Sequence, residues 1–194
     1  MKNANITRMA GIALLMAMVI VLQFVSSSIP PIGGFVSISL VLIPIVMGGA
    51  VFGIKAGAIL GATFGAVVLI NCITGADGGG AMVFQANPAI CAAVVLGKGI
   101  LAGLLSACTY QLLKAKNTYI AMLCAAIVCP VVNTGVFLTC MVLFFGEVLA
   151  AWAGGNDVVG YVLSILILCN FIPELLINIV FSPAGQRIVH AMKK

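Results

Sequence analysis

Two charged residues and a few amides sit where polar groups are costly. Lys98, Glu174, Asn133 and Asn170 each interrupt a long apolar run, in a chain of which only 7% is charged. A polar side chain in hydrocarbon needs a partner, so each is a site candidate by default. Asn87, Cys91, Val94 and Lys98 fall at i, i+4, i+7 and i+11, one face of a helix leading from a rim to a charge. Lys98 lies about 15 Å along that helix at roughly 1.5 Å per residue, too deep for easy snorkelling. Asn170, Glu174 and Asn178 share a face of the last apolar run. Two readings stay open: Lys98 and Glu174 form a structural ion pair joining two helices, or Lys98 is free to meet a substrate carboxylate. Separate partners for the two charges, or snorkelling at the lipid edge, is a third.

Prolines reinforce the pattern. Cys129-Pro130-Val131-Val132-Asn133-Thr134 and Asn170-Phe171-Ile172-Pro173-Glu174 each put a proline beside an amide inside an apolar run. A mid-helix proline frees the carbonyl four residues earlier, here Ala126 and Cys169. Such breaks are tolerated where polar groups, water or a cavity satisfy the backbone. A polar cavity between the last three apolar runs is therefore expected. Thr74, Asp77, Gln85 and Asn87 lie in or beside a glycine-rich segment and form its expected lid, with Gly78-Gly79-Gly80 free to flex. Trp152 and Tyr161 read as interfacial anchors. Phe171 alone among the aromatics adjoins the proposed polar groups, which disfavours a large flat cargo such as a flavin.

Other chemistries find little footing. Leu96-Gly97-Lys98-Gly99 holds the Gly-Lys pair of a phosphate loop, but Ala92 stands at the leading glycine position and Gly99 replaces Ser or Thr. His190 is the sole histidine and lies in the tail; Ser164 and the cysteines have no base nearby in sequence, and neither G-x-S-x-G nor H-E-x-x-H occurs. An enzyme is not expected, and neither is a cofactor. The seven cysteines are odd in number and have no C-x-x-C pair, so no disulfide framework or metal site is expected. The formal charge of +5 comes from scattered basic residues without aromatic interleaving, which argues against nucleic acid.

The elements that must position these groups are membrane helices. The chain has 194 residues, 63% hydrophobic, with a mean hydropathy of +1.31, whereas about a quarter of a soluble domain is charged. Six apolar stretches match the roughly 20 residues that cross a bilayer: Met9 to Ser26, Phe35 to Phe52, Ile54 to Ile73, Pro88 to Leu113, Tyr119 to Leu149 and Val159 to Phe181. Lys2, Arg8, Lys55, Lys114, Lys116, Arg187, Lys193 and Lys194 all fall on one side of this map; Asp77, Glu147 and Asp157 lie toward the other. The positive-inside rule makes both termini cytoplasmic. The expected fold is all-α, a six-transmembrane-helix bundle forming one integral membrane domain over residues 1–194. A rival reading takes Lys2, Arg8 and Ser26-Ser27-Ser28 as a cleavable secretory signal, leaving five spans.

Gly49, Gly53, Gly57, Gly61 and Gly65 recur every four residues, a stripe where a neighbouring backbone can approach, most simply as a tight internal contact. Ala13-x-x-x-Ala17 gives the first run a flat small-residue face, suited to internal packing or to docking another protein.

Arg8-Met-Ala-Gly-Ile-Ala13-Leu-Leu-Met-Ala17, the Pro30-Pro31-Ile-Gly-Gly-Phe turn, and Ile43-Pro44-Ile45 followed by Gly-Gly-Ala-Val-Phe-Gly-Ile-Lys-Ala-Gly carry a resemblance. With the six-span layout, they resemble the substrate-binding S component of an energy-coupling factor (ECF) vitamin transporter. The specific letters are concentrated in the first 65 residues. The resemblance implies that Ala13 and Ala17 dock a shared transmembrane coupling subunit, which works with two cytoplasmic ATPases in a bacterial or archaeal cell membrane. It also implies that a small-molecule vitamin binds near the outer face, beneath the loops after the first span and before the fourth. Pantothenate is the leading cargo, with folate-like, queuine-like and pyridoxine-like molecules open. The contrasting reading is a stand-alone proton-coupled secondary transporter or small channel, with Glu174 carrying protons.

Overall fold

A computed structural model describes residues 2–28, 39–155 and 157–192. Among them every regular element is helical: α1 (Lys2–Ser28), α2 (Leu42–Phe52), α3 (Ile54–Thr74), α4 (Gly78–Ala86), α5 (Pro88–Leu113), α6 (Thr118–Phe144), α7 (Gly146–Trp152), α8 (Val158–Tyr161), a π-helix over Val162–Phe171, and α9 (Ile172–Met192). The Pro30-Pro31 turn, the start of the second expected span, Lys193 and Lys194 lie outside the described residues.

Local chemistry sets most boundaries. Asn87 accepts a hydrogen bond from the Ile90 backbone N–H, and Pro88 occupies the first turn of α5, where its missing N–H costs nothing. Asn117 caps α6 by accepting from Tyr119 and Ile120, and Asp157 caps α8 through Val159 and Gly160. Gly53, at φ +89°, ends α2 and opens α3 with no intervening loop, a backbone conformation that favours glycine.

Five segments are long and apolar enough to cross a membrane: Ile6–Ser27, Ile54–Thr74, Pro88–Leu113, Thr118–Phe144 and Val158–His190. The expected second span is shortened. Residues 39–41 are not helical, and α2 covers only Leu42–Phe52. Pro44 explains the start, since it fits the first turn of a helix from Leu42 but would break one begun at Phe35. The N–H groups just upstream are taken by side chains: Ser39 donates to Glu174 Oε1 at 2.8 Å and Leu40 to Ser26 Oγ at 3.4 Å.

Two other expectations change. Gly78-Gly79-Gly80 forms the first turn of α4, not a flexible loop, because Asp77 accepts from the Gly80 N–H at 3.1 Å. Ahead of Pro173 the last helix widens into its π segment, where the Ile172 N–H donates to Ile167 O. The proline thus follows a wider turn, in place of the expected uninterrupted α-ladder.

Of the expected glycine stripe, Gly57, Gly61 and Gly65 form the seam between α3 and α5; Gly49 belongs to α2 and packs on Ala107, and Gly53 is the turn where the continuous stripe breaks. A Cβ on Gly61 would run into the Gly99 carbonyl, and one on Gly57 into the Gly103 carbonyl within 2.5 Å. At Gly65 it would lie 2.8 Å from Val95 O. Leu42, Ile45, Leu60, Tyr110 and Met122 fill the interior beside this seam, and Ser106 Oγ donates to Ala125 O at 2.9 Å to tie α5 to α6. Large apolar side chains such as Leu112 and Val180 face outward, as lipid-facing positions do.

Hydrogen bonds also gather the basic residues at one end. Arg8 donates to Phe52 O at 2.7 Å, Lys114 meets Gln111, Gln111 reaches Gly49 O at 3.3 Å, and Gln186 donates to Thr118 Oγ1 at 2.8 Å. Ser27, Asn71 and Ser39 mark the opposite end.

Replacing Gly61 with Leu should therefore force α3 and α5 apart, costing about 3 kcal/mol and lowering the unfolding midpoint in detergent by roughly 10 °C. Gly97→Ala, where a Cβ meets nothing within 4 Å, should leave the midpoint unchanged.

Candidate functional site

The half of the bundle away from the basic end encloses a cavity of about 130 Å³. That is close to the roughly 150 Å³ that holds a benzene ring in an engineered protein cavity. Its walls come from the C-terminal parts of α1, α3 and α6, the N-terminal half of α5, and the π segment with the first turn of α9. The crossing of α3 and α5 puts Phe64, Val68 and Cys72 opposite Cys91, Val94, Val95 and Lys98.

Lys98 reaches the cavity between two rings. Its ammonium lies 4.8 Å from the centroid of Phe137 and 5.8 Å from that of Phe64, within the range where a ring face attracts a cation. Phe137 in turn stacks on Trp152 at 6.4 Å and 27°. One wall is thus aromatic and carries a positive charge.

The rest of the lining is rich in oxygen. Glu174 is 3% exposed. Its Oε1 accepts from the Ser39 N–H at 2.8 Å, while its Oε2 is buried without a hydrogen-bond partner. Gln23 Oε1, Ser39 Oγ and Asn133 Oδ1 are likewise buried and unpartnered around the same space. Buried polar atoms are rarely left unpaired, so a cluster around one cavity calls for an occupant that supplies the missing bonds. Lys98 and Glu174 both line the cavity, but no ion pair joins them.

Of the residues singled out in the sequence, Cys91, Lys98, Asn133, Asn170, Glu174 and Asp77 are brought together on this cavity. Asp77 is also the cap of α4. Three lie elsewhere: Thr74 is exposed and back-bonds to Ile70 O at 2.9 Å, Gln85 is exposed on α4, and Asn87 is engaged as the cap of α5. Asn178 turns its amide to Glu174 O at 2.8 Å instead of into the cavity.

Sequence reasoning missed Gln23, Ser27, Ser39, Phe64, Phe137 and Trp152, all of which line the cavity. For the first two a signal existed. Gln23 and Ser27 are polar groups in an apolar run, and Ser27 is held in a chain from Asn71 Nδ2 to Ser27 Oγ (2.8 Å) and from Ser27 Oγ to Gln23 O (2.9 Å). Trp152 is buried and lines the cavity instead of anchoring at an interface. The aromatic lining comes from Phe64, Phe137 and Trp152, not from Phe171. An aromatic inside an apolar helix leaves no mark in the sequence by which to tell cavity from core.

No group of three or more His, Cys, Asp or Glu residues among those described could hold a metal ion. What the arrangement offers is binding: a ring-lined pocket with a separated cation and carboxylate, sunk among membrane-length helices.

The family model for the ECF transporter substrate-specific component matches residues 7–184. No curated protein and no solved structure matches the chain. Nearly the whole length is thus accounted for by one family of membrane-embedded, substrate-binding transporter subunits: the chain belongs to the substrate-specific components of ECF transporters.

Proposed function

We propose that the chain is one membrane-embedded domain that captures a small water-soluble vitamin or precursor from outside a bacterial or archaeal cell. It presents this cargo to a separate transmembrane coupling subunit driven by two cytoplasmic ATPases. The observation that carries the reading is the cavity itself, with an ammonium and several unpartnered oxygens enclosed among lipid-facing helices. Such groups are costly in the empty protein and become favourable when a cargo satisfies them. α2, entered through residues 39–41, is the sixth membrane segment. The end bearing Arg8, Lys55, Lys114 and Arg187 faces the cytoplasm, so the cavity opens outward. Pantothenate is the leading cargo: its carboxylate suits Lys98 and its hydroxyls suit the orphaned oxygens. Ala13 and Ala17 are exposed on α1 and form the docking face for the coupling subunit.

Reconstitution separates this reading from a proton-coupled transporter. In proteoliposomes the chain alone should bind but not accumulate its cargo, and accumulation should require the coupling subunit, the ATPases and ATP. Accumulation by the chain alone under a proton gradient would reverse the assignment. Ala13→Trp with Ala17→Trp should abolish co-purification with the coupling subunit while leaving cargo affinity within about twofold. Trp152 is the only tryptophan and lines the cavity, so cargo should change intrinsic emission on titration, and Trp152→Phe should remove that signal without unfolding the protein.

A further inference from the structure

Lys98 and Glu174 face one cavity without neutralising each other, and each is left with unused bonding capacity of opposite kind. The Lys98 ammonium has three N–H donors, and its described contacts are the faces of Phe64 and Phe137. Glu174 spends Oε1 on the Ser39 N–H, which leaves Oε2 buried and unpartnered. A carboxylate can only accept, and the two unpartnered atoms closest to it in kind, Gln23 Oε1 and Asn133 Oδ1, are also acceptors. Three separate helices, α1, α6 and α9, thus contribute acceptors to the cavity, while α5 contributes a cation.

We infer that the cargo is a two-ended molecule, carrying N–H or O–H donors that bind Glu174 Oε2 with Asn133 and Gln23, and an anionic group that binds Lys98. This rests on the capture reading and narrows it. Cargo is selected by the pairing of a donor end with an anionic end, so a vitamin having only one of the two is refused. Glu174 becomes the specificity residue for the donor end. Because its other oxygen holds Ser39, filling the donor end also fixes the turn that leads into α2.

The test is binding of a vitamin panel to the purified full chain in detergent, by calorimetry. Two matched pairs, pantothenate with panthenol and biotin with biotin methyl ester, differ in the carboxylate; nicotinate has a carboxylate but no N–H or O–H donor, and thiamine, riboflavin and pyridoxine lack an anionic group. The tightest binder is expected to be anionic and donor-bearing, and at least tenfold tighter than its carboxylate-free partner where the panel has one. Glu174→Gln keeps an oxygen for Ser39 but can place an N–H against the cargo's donors. It should weaken the best binder at least tenfold, with the melting point of the empty protein unchanged. Lys98→Met should weaken pantothenate or biotin, and panthenol or biotin methyl ester much less. Preferred binding of a panel member that lacks either the anionic group or the donors overturns the inference on wild-type protein alone, whatever the variants do. Unaltered affinity in a folded Glu174→Gln protein also overturns it, while leaving the capture reading intact. If wild type binds nothing in the panel, the capture reading fails and this inference with it.

Discussion

The contact on which the site depends is the glycine-lined approach of α3 to α5. Gly57, Gly61 and Gly65 let the carbonyls of Gly103, Gly99 and Val95 come so near that a methyl group has no place between the helices. That contact sets the spacing of the two helices beside the cavity, where Phe64 and Cys72 on one face Lys98 and Cys91 on the other. Bulky residues at the seam would separate these walls. Close backbone approach is a main source of helix association in lipid, where burying apolar surface gains little, so the same glycines serve cohesion and the geometry of the pocket.

The second constraint is the cost of polar atoms away from water. The bundle keeps most of its internal polar groups in short, satisfied chains, such as Asn71 to Ser27 to the Gln23 carbonyl, and Ser106 to Ala125. Four of the exceptions, oxygens of Gln23, Ser39, Asn133 and Glu174, lie around one cavity, whereas the buried unpartnered oxygens of Tyr161, Asn178 and Gln186 lie away from it. Four around a single space is the feature on which the capture reading rests.

Much of this was legible in the sequence because the membrane enforces simple rules. Apolar run length marked α3, α5 from Pro88, and most of α6, whereas Asn87, expected on the binding face and in the lid, is the cap of α5. Helical spacing put Cys91 and Lys98 on one face, and likewise Asn170 and Glu174. Tertiary decisions were not legible. Nothing in Leu40 or Val41 announces that the backbone before Pro44 is held by Ser26 and Glu174, so the helix that ends at Phe52 starts only at Leu42, inside its apolar run. Nothing in three consecutive glycines announces that an Asp77 cap makes them helical. Phe137 and Trp152 are ordinary apolar letters until the fold stacks them under an ammonium. Polar residues in apolar runs betray themselves by their cost, whereas aromatic ones do not.

The last membrane-length segment, Val158–His190, runs for 33 residues, about a dozen more than a bilayer crossing requires. Glu174 sits near its middle, and Gln186, bonded to Thr118, near its far end. The surplus turns extend past the cavity toward the end that holds the basic residues, so a single membrane-length segment carries both the Glu174 carboxylate and the hydrogen bond that ties the bundle's last helix to the first turn of α6.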